Sequence, residues 1–166
     1  MKICKYILVS LLLLYPLGAI AENVDPDNDG SHFAWGENVG WINLKPSSGL
    51  GVFVTDSFVA GFAWGENIGW INLAPSGDGV VNDGQGNLSG YAWGENVGWI
   101  NFAPTGGGVT IDPTTGVFNG DAWGENTGWL NFAPSGGGVT TSWGVVPQRY
   151  DDNTDACPCF ISTVAP

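Results

Sequence analysis

Apolar residues recur along this chain at strand spacing, in short stretches bounded by glycine, proline and aspartate. Outside the N-terminal segment no window carries them at helical spacing. One stretch, Ala-Trp-Gly-Glu-Asn-x-Gly-Trp-[Ile/Leu]-Asn, occurs four times, at residues 34–43, 63–72, 92–101 and 122–131. Its first tryptophans, Trp35, Trp64, Trp93 and Trp123, are 29, 29 and 30 residues apart. A period of that size marks an array of small supersecondary units, none able to bury its own apolar face alone.

In the first copy, Glu37-Asn38-Val39-Gly40 fits a type I turn followed by a glycine in the left-handed region, a three-residue hairpin loop with a bulge. That register sets Glu37 opposite Trp41 and Trp35 opposite Asn43, so that Trp35 and Trp41 meet on a diagonal. Alternation along the strands places Trp35, Glu37, Trp41 and Asn43 on one face and Ala34, Gly36, Ile42 and Leu44 on the other. The segments between copies read as a second hairpin. Val109-Thr110-Ile111 is a short strand, Asp112 to Gly116 a turn, and Val117 to Gly120 leads into the next copy. Proline follows each second strand (Pro46, Pro75, Pro104, Pro134) and, lacking an N–H, is expected to stop the ladder.

The expected fold is therefore all-β: four tandem antiparallel hairpin repeats of about 29 residues packed into one sheet-rich array, sandwich-like or solenoid-like, over residues 33–146. The fourth copy is more polar than the others, with Asp121 where they have Phe33, Phe62 and Tyr91, and Thr127 where they have Val39, Ile68 and Val97. That fits a repeat near the end of an array. Val139 to Val146 is expected as a strand closing the sheet edge.

Charge and flanking segments add an address. A basic start, the apolar run Tyr6 to Leu17 and Ala19-Ile20-Ala21 read as a secretory signal peptide over residues 1–21. No second apolar segment follows, so no membrane insertion is expected after cleavage. The whole chain carries a net charge of −12. Without Lys2 and Lys5, only Lys45 and Arg149 remain against sixteen acidic residues. Such a field excludes nucleic acid as a partner. Residues 147–166 read as a loose tail, in which Cys157 and Cys159 are too close for an unstrained disulfide.

Residues 22–32 form an acidic leader, in which Asp25-Pro26-Asp27-Asn28-Asp29-Gly30 matches the first half of a calcium loop. Asp25, Asp27 and Asp29 would be the ligands. The twelfth position is Gly36 instead of glutamate, and a solvated acidic tail is the simpler reading. Asp56, Asp83 and Asp112 recur in the linkers, as turn-formers or as weak cation sites.

Eight of the nine tryptophans lie in the repeats: Trp35, Trp41, Trp64, Trp70, Trp93, Trp99, Trp123 and Trp129. The economical reading makes them the core seam between hairpins. The functional reading leaves indole faces open to stack on sugar rings, with Asn43, Asn72, Asn101 and Asn131 giving hydrogen bonds beside them. Glu37, Glu66, Glu95 and Glu125 suggest glycoside hydrolysis, but identical carboxylates in equivalent sites lack the asymmetry of an acid and a base. Each is expected instead to accept an N–H in or near its own turn, and the asparagine after it to form that turn. A catalytic site is not expected.

The motif, read as Ala-Trp-Gly-Glu-Asn-[Val/Ile/Thr]-Gly-Trp-[Ile/Leu]-Asn-[Leu/Phe], resembles a repeat of secreted and surface proteins of bacteria, often with serine in place of Gly36 and its equivalents. The resemblance spans Phe33 to Pro134. It implies an exported bacterial setting, periplasmic, extracellular or at the cell surface, and no particular activity. The expected role is a non-catalytic binding or adhesion protein whose partner is an extracellular glycan or surface polymer. The alternatives are a structural protein that self-associates through β edges and, below it, a glycan-active enzyme.

Overall fold

The computed structural model describes residues 22–145. The segment read as a signal peptide, the cysteine pair and the C-terminal residues 147–166 lie outside them. In chain order the strands are β1 (His32–Gly36), β2 (Gly40–Asn43), β3 (Phe53–Val54), β4 (Phe58–Ala60), β5 (Phe62–Gly65), β6 (Gly69–Asn72) and β7 (Val80–Asn82). They continue as β8 (Leu88–Gly94), β9 (Gly98–Asn101), β10 (Gly108–Ile111), β11 (Phe118–Gly124), β12 (Gly128–Asn131) and β13 (Gly138–Val139). All pairings are antiparallel, and there is no helix among the described residues.

Eight strands form a ring. Each motif copy supplies one hairpin, β1–β2, β5–β6, β8–β9 or β11–β12. Neighbouring hairpins join through β2–β5, β6–β8 and β9–β11, and β12 returns to β1. The array is thus a closed barrel, and its ends have met instead of remaining as a sandwich or solenoid. An eight-stranded ring has an interior just wide enough to be filled by side chains.

The filling explains the motif. Ala34, Ala63, Ala92 and Ala122 alternate round the lumen with Ile42, Ile71, Ile100 and Leu130, all buried. Small residues on one strand of each hairpin make room for the branched ones opposite, as in the Ala34↔Ile42 pair. Val39, Ile68, Val97 and Thr127 turn inward from the hairpin loops and plug one end, while Leu44, Leu73, Phe102 and Phe132 form the layer at the other. Burying each large apolar side chain contributes about 1.5–3 kcal/mol. A methyl on Gly36 would stand 2.5 Å from Val39 Cγ2 and 2.7 Å from Leu130 Cδ2, so glycine is needed to seat the plug.

Three expectations change here. The hairpin register is shifted by one residue on each strand: Gly36 pairs Gly40 and Trp35 lies directly across from Trp41, so the indoles share a face without being diagonal. Thr127 is not at an exposed end, because a ring has none. It is 0% exposed, and its hydroxyl donates to Gly128 O at 3.0 Å, which satisfies it inside the plug. The strands also stop at asparagine, three residues before each proline.

A second tier continues the barrel below the lower layer. β3, β4, β7 and the first half of β8 pair in turn, as do β10 and β11 and then β13 and β1. Single bridges close the gaps: Asn87↔Thr110, Val117↔Thr140 and Val24↔Thr141. Gly61, Gly90 and Gly120 let the linker strands cross into the ring, and their positive φ leaves no room for a side chain. At Gly90 (φ 83°) an added Cβ would meet Gly79 O at 2.0 Å. β13 covers part of the edge where a longer closing strand was expected.

The acidic leader is part of this tier and not a solvated tail. Val24 is buried, and the Asn23 carboxamide pairs with Val54 like a strand backbone, accepting from its N–H at 2.8 Å and donating to its carbonyl at 2.9 Å. Trp143 is the single buried tryptophan and donates from Nε1 to Asp56 Oδ1 at 2.9 Å, tying the last described segment to the first linker.

Candidate functional site

With alanine and isoleucine inside, alternation puts the indoles outside. Each of the eight ring strands carries one tryptophan on its outer face, and all eight are exposed or half-exposed. The core-seam reading of these residues is therefore overturned: eight indoles exceed what such a lumen can hold, and the interior was already filled by smaller groups. In the first three hairpins the paired rings meet edge to face, with centroids 4.8–4.9 Å apart and planes at 65–69°. The aromatic residue preceding the alanine extends each pair to a triplet, as Phe33–Trp41, Phe62–Trp70 and Tyr91–Trp99 at 6.1–6.2 Å. The fourth hairpin has Asp121 at that position.

Between hairpins the register sets Asn43 opposite Trp64, Asn72 opposite Trp93, Asn101 opposite Trp123 and Asn131 opposite Trp35. The sequence-predicted asparagines and tryptophans are thus brought together, across hairpin boundaries. The asparagine oxygens have a structural task, each accepting the N–H two residues on, at 2.7–2.9 Å in Asn43, Asn72, Asn101 and Asn131. That closes the strand end and leaves the NH₂ group as the side chain's remaining donor.

The belt is grooved at the boundaries. A groove of about 580 Å³ between the first and second hairpins is lined by Phe33, Trp41, Asn43, Trp64, Glu66 and Asn67. One of about 510 Å³ between the third and fourth is lined by the corresponding Tyr91, Trp99, Asn101, Trp123, Glu125 and Asn126. Between the fourth and first, Glu37, Asp121 and Trp129 line a smaller hollow of about 270 Å³. Linker glycines lie over the second indole of the following hairpin: a Cβ on Gly137 would stand 2.8 Å from Trp41, and one on Gly107 2.7 Å from Trp129. The second linker has Asp78 at this place, and Trp99 is the most open indole, at 46%.

The motif glutamates do not take the structural role expected of them. All four are exposed, and no hydrogen bond joins their carboxylates to another described residue. The asparagine after each does more than shape its turn. Asn67 donates to Val39 O at 3.0 Å, Asn96 to Ile68 O at 3.1 Å, Asn126 to Val97 O at 3.0 Å and Asn38 to Thr127 O at 3.3 Å. Each turn is clasped to the previous one all the way round. Nothing in a single hairpin announces these bonds, since they exist only once the ring has closed.

The leader's carboxylates lie apart from the belt. Asp25 is 2% exposed, with Oδ2 2.7 Å from His32 Nδ1, and Oδ1 accepting from Asp29 N at 3.0 Å and Ser31 Oγ at 3.3 Å. Burial pushes its pKa up, but the His32 bond, the Asp29 N–H and the nearby Lys45 charge outweigh that and hold the carboxyl below the usual aspartate value. Lys45 Nζ donates to Asp25 O and to Asn28 Oδ1, both at 2.7 Å. Asp27 and Asp29 are exposed, and among the described residues no three His, Cys, Asp or Glu side chains are grouped as metal ligands would be. Asp83 and Asp112 have lowered pKa values because Asn87 and the Gln85 N–H bond the first, and the Thr114 and Thr115 N–H groups the second. Both are turn-formers.

Compared with known proteins, the chain matches no protein-family model, no curated protein and no solved structure.

Proposed function

We propose that this chain is an exported, non-catalytic binding module whose ligands are carbohydrates, held on the outer belt by indole stacking. Its four motif copies would serve as four versions of one binding element. The observation that carries the reading is an outward-facing tryptophan on every ring strand, exposed on seven and half-exposed at Trp70, where burial was available to smaller groups only. Soluble proteins seldom present a contiguous apolar surface without a partner for it. The grooves at about 580 and 510 Å³ fall in the size range of small-ligand sites, and pair apolar faces with amide and carboxylate groups that can orient a hydroxylated ring. The edge-stacking alternative has less to support it, since every ring strand has a neighbour on both sides.

The test is titration of soluble oligosaccharides with indole fluorescence as the signal, comparing the wild type with Trp99→Ala. Trp99 is chosen because it is the most open. Its truncation should remove the site in the groove it lines, read as fewer binding sites per chain with the affinity of the remaining ones kept, while stability falls by only about 0.5–1.5 kcal/mol from the lost edge-to-face contact with Trp93. Unchanged binding in a folded Trp99→Ala variant, or no response to any glycan, would count against the reading.

A further inference from the structure

The four motif glutamates are left without a task by the fold. Their neighbours Asn38, Asn67, Asn96 and Asn126 clasp the ring and the glycines shape the turns, whereas the carboxylates are exposed and bonded to no described residue. Nor does any described residue balance their charge. Lys45 is the sole lysine or arginine among the described residues, and it is committed to Asp25 and Asn28 in the leader. Each of the two large grooves nevertheless has one carboxylate in its wall, Glu66 beside Trp41 and Trp64, and Glu125 beside Trp99 and Trp123.

An indole face carries a negative quadrupole that attracts an ammonium group, and an adjacent unpaired carboxylate adds to the attraction. A neutral sugar would stack on the ring faces and donate hydroxyls to the carboxylate, but leave its charge uncompensated. An anionic one would be repelled by it and by the chain's net charge of −12. We infer that the grooves at Trp41–Trp64–Glu66 and Trp99–Trp123–Glu125 bind amino sugars with free, protonated amines, the sugar ring stacking on an indole and the ammonium reaching the carboxylate. This rests on the carbohydrate reading above and specifies the ligand class of the same sites.

The experiment compares three probes at physiological salt and about pH 6, where an amine keeps its proton. They are a glucosamine tetramer without acetyl groups, its fully N-acetylated counterpart and tetralysine, each titrated into the full chain and into Glu66→Gln/Glu125→Gln. The substitutions are at exposed sites, and circular dichroism checks that the fold is kept. The inference expects the free-amine tetramer to bind the wild type at least tenfold more tightly than the acetylated one, with that advantage lost in the double variant. Equal binding of the two tetramers, or an advantage that survives the double variant, overturns the amine specificity while leaving the carbohydrate reading in place. Tetralysine binding as tightly as the free-amine tetramer overturns it too, by reducing the effect to attraction between polyions. If neither tetramer binds, the amine specificity falls, and the carbohydrate reading is decided by the oligosaccharide titration above.

Discussion

Within the repeated motif, adjacent residues do unrelated work. In Glu66-Asn67, the asparagine donates across a hairpin boundary to Val39 O at 3.0 Å, whereas the glutamate faces solvent in a groove wall. Asn67→Ala removes one of four such clasps and leaves a half-buried carbonyl short of a partner. It should cost about 1 kcal/mol, read as a lower denaturant midpoint with an unchanged slope. Glu66→Gln should leave that midpoint where it is. The difference between these two neighbours could not be read from the sequence. Both recur in every copy, and both look like turn residues when a hairpin is considered alone. What could be read was the alternation: Trp35 and Trp41 on one face, Ala34 and Ile42 on the other. Choosing which face goes inside needed the number of strands in the ring, because only a closed lumen sets a volume that indoles exceed.

The strands depend on particular glycines where linker passes into ring. Gly90 sits at φ 83° in the middle of β8, with Gly79 O where a Cβ would go. Gly90→Ala therefore meets both backbone strain and a backbone clash, and should cost about 2 kcal/mol or more. Gly106→Ala, at φ 84° with nothing within 4 Å, should show the conformational part alone, about 1 kcal/mol. Denaturant unfolding of the two variants separates the terms. The leader is held by its buried carboxylate. Because the folded state keeps Asp25 ionised below the ordinary value of 3.8, the unfolded chain takes up its proton first as pH falls. This contribution is complete above the unfolded pKa and is lost as pH drops through the lower folded one. Melting temperature should fall over that acid range, and Asp25→Asn should be less stable at neutral pH and less sensitive to acid. The leader's aspartates are visible in the sequence as a calcium-loop pattern. Their partners are not, because Lys45 and Thr140 reach Asp25 only through the tertiary fold.

At the scale of the molecule, closure accounts for what the linear pattern left open. The even spacing of the copies indicated identical units, and their hairpins and linker turns followed from turn chemistry. Whether the last unit would meet the first depends on the stagger accumulated over eight strands, which no single copy records. Once β12 pairs with β1, the polar fourth copy becomes an ordinary member of the ring, and Thr127 turns its hydroxyl to backbone carbonyls inside the plug. Closure also commits the aromatic residues to solvent on all sides and places corresponding grooves at hairpin boundaries.

The most direct test is acrylamide quenching of tryptophan fluorescence in the folded chain. With eight indoles on the outer belt and only Trp143 buried, nearly all the emission should be accessible to quencher, and Trp143→Phe should remove the small protected fraction. A mostly protected signal would place the tryptophans in the interior and contradict the barrel described here.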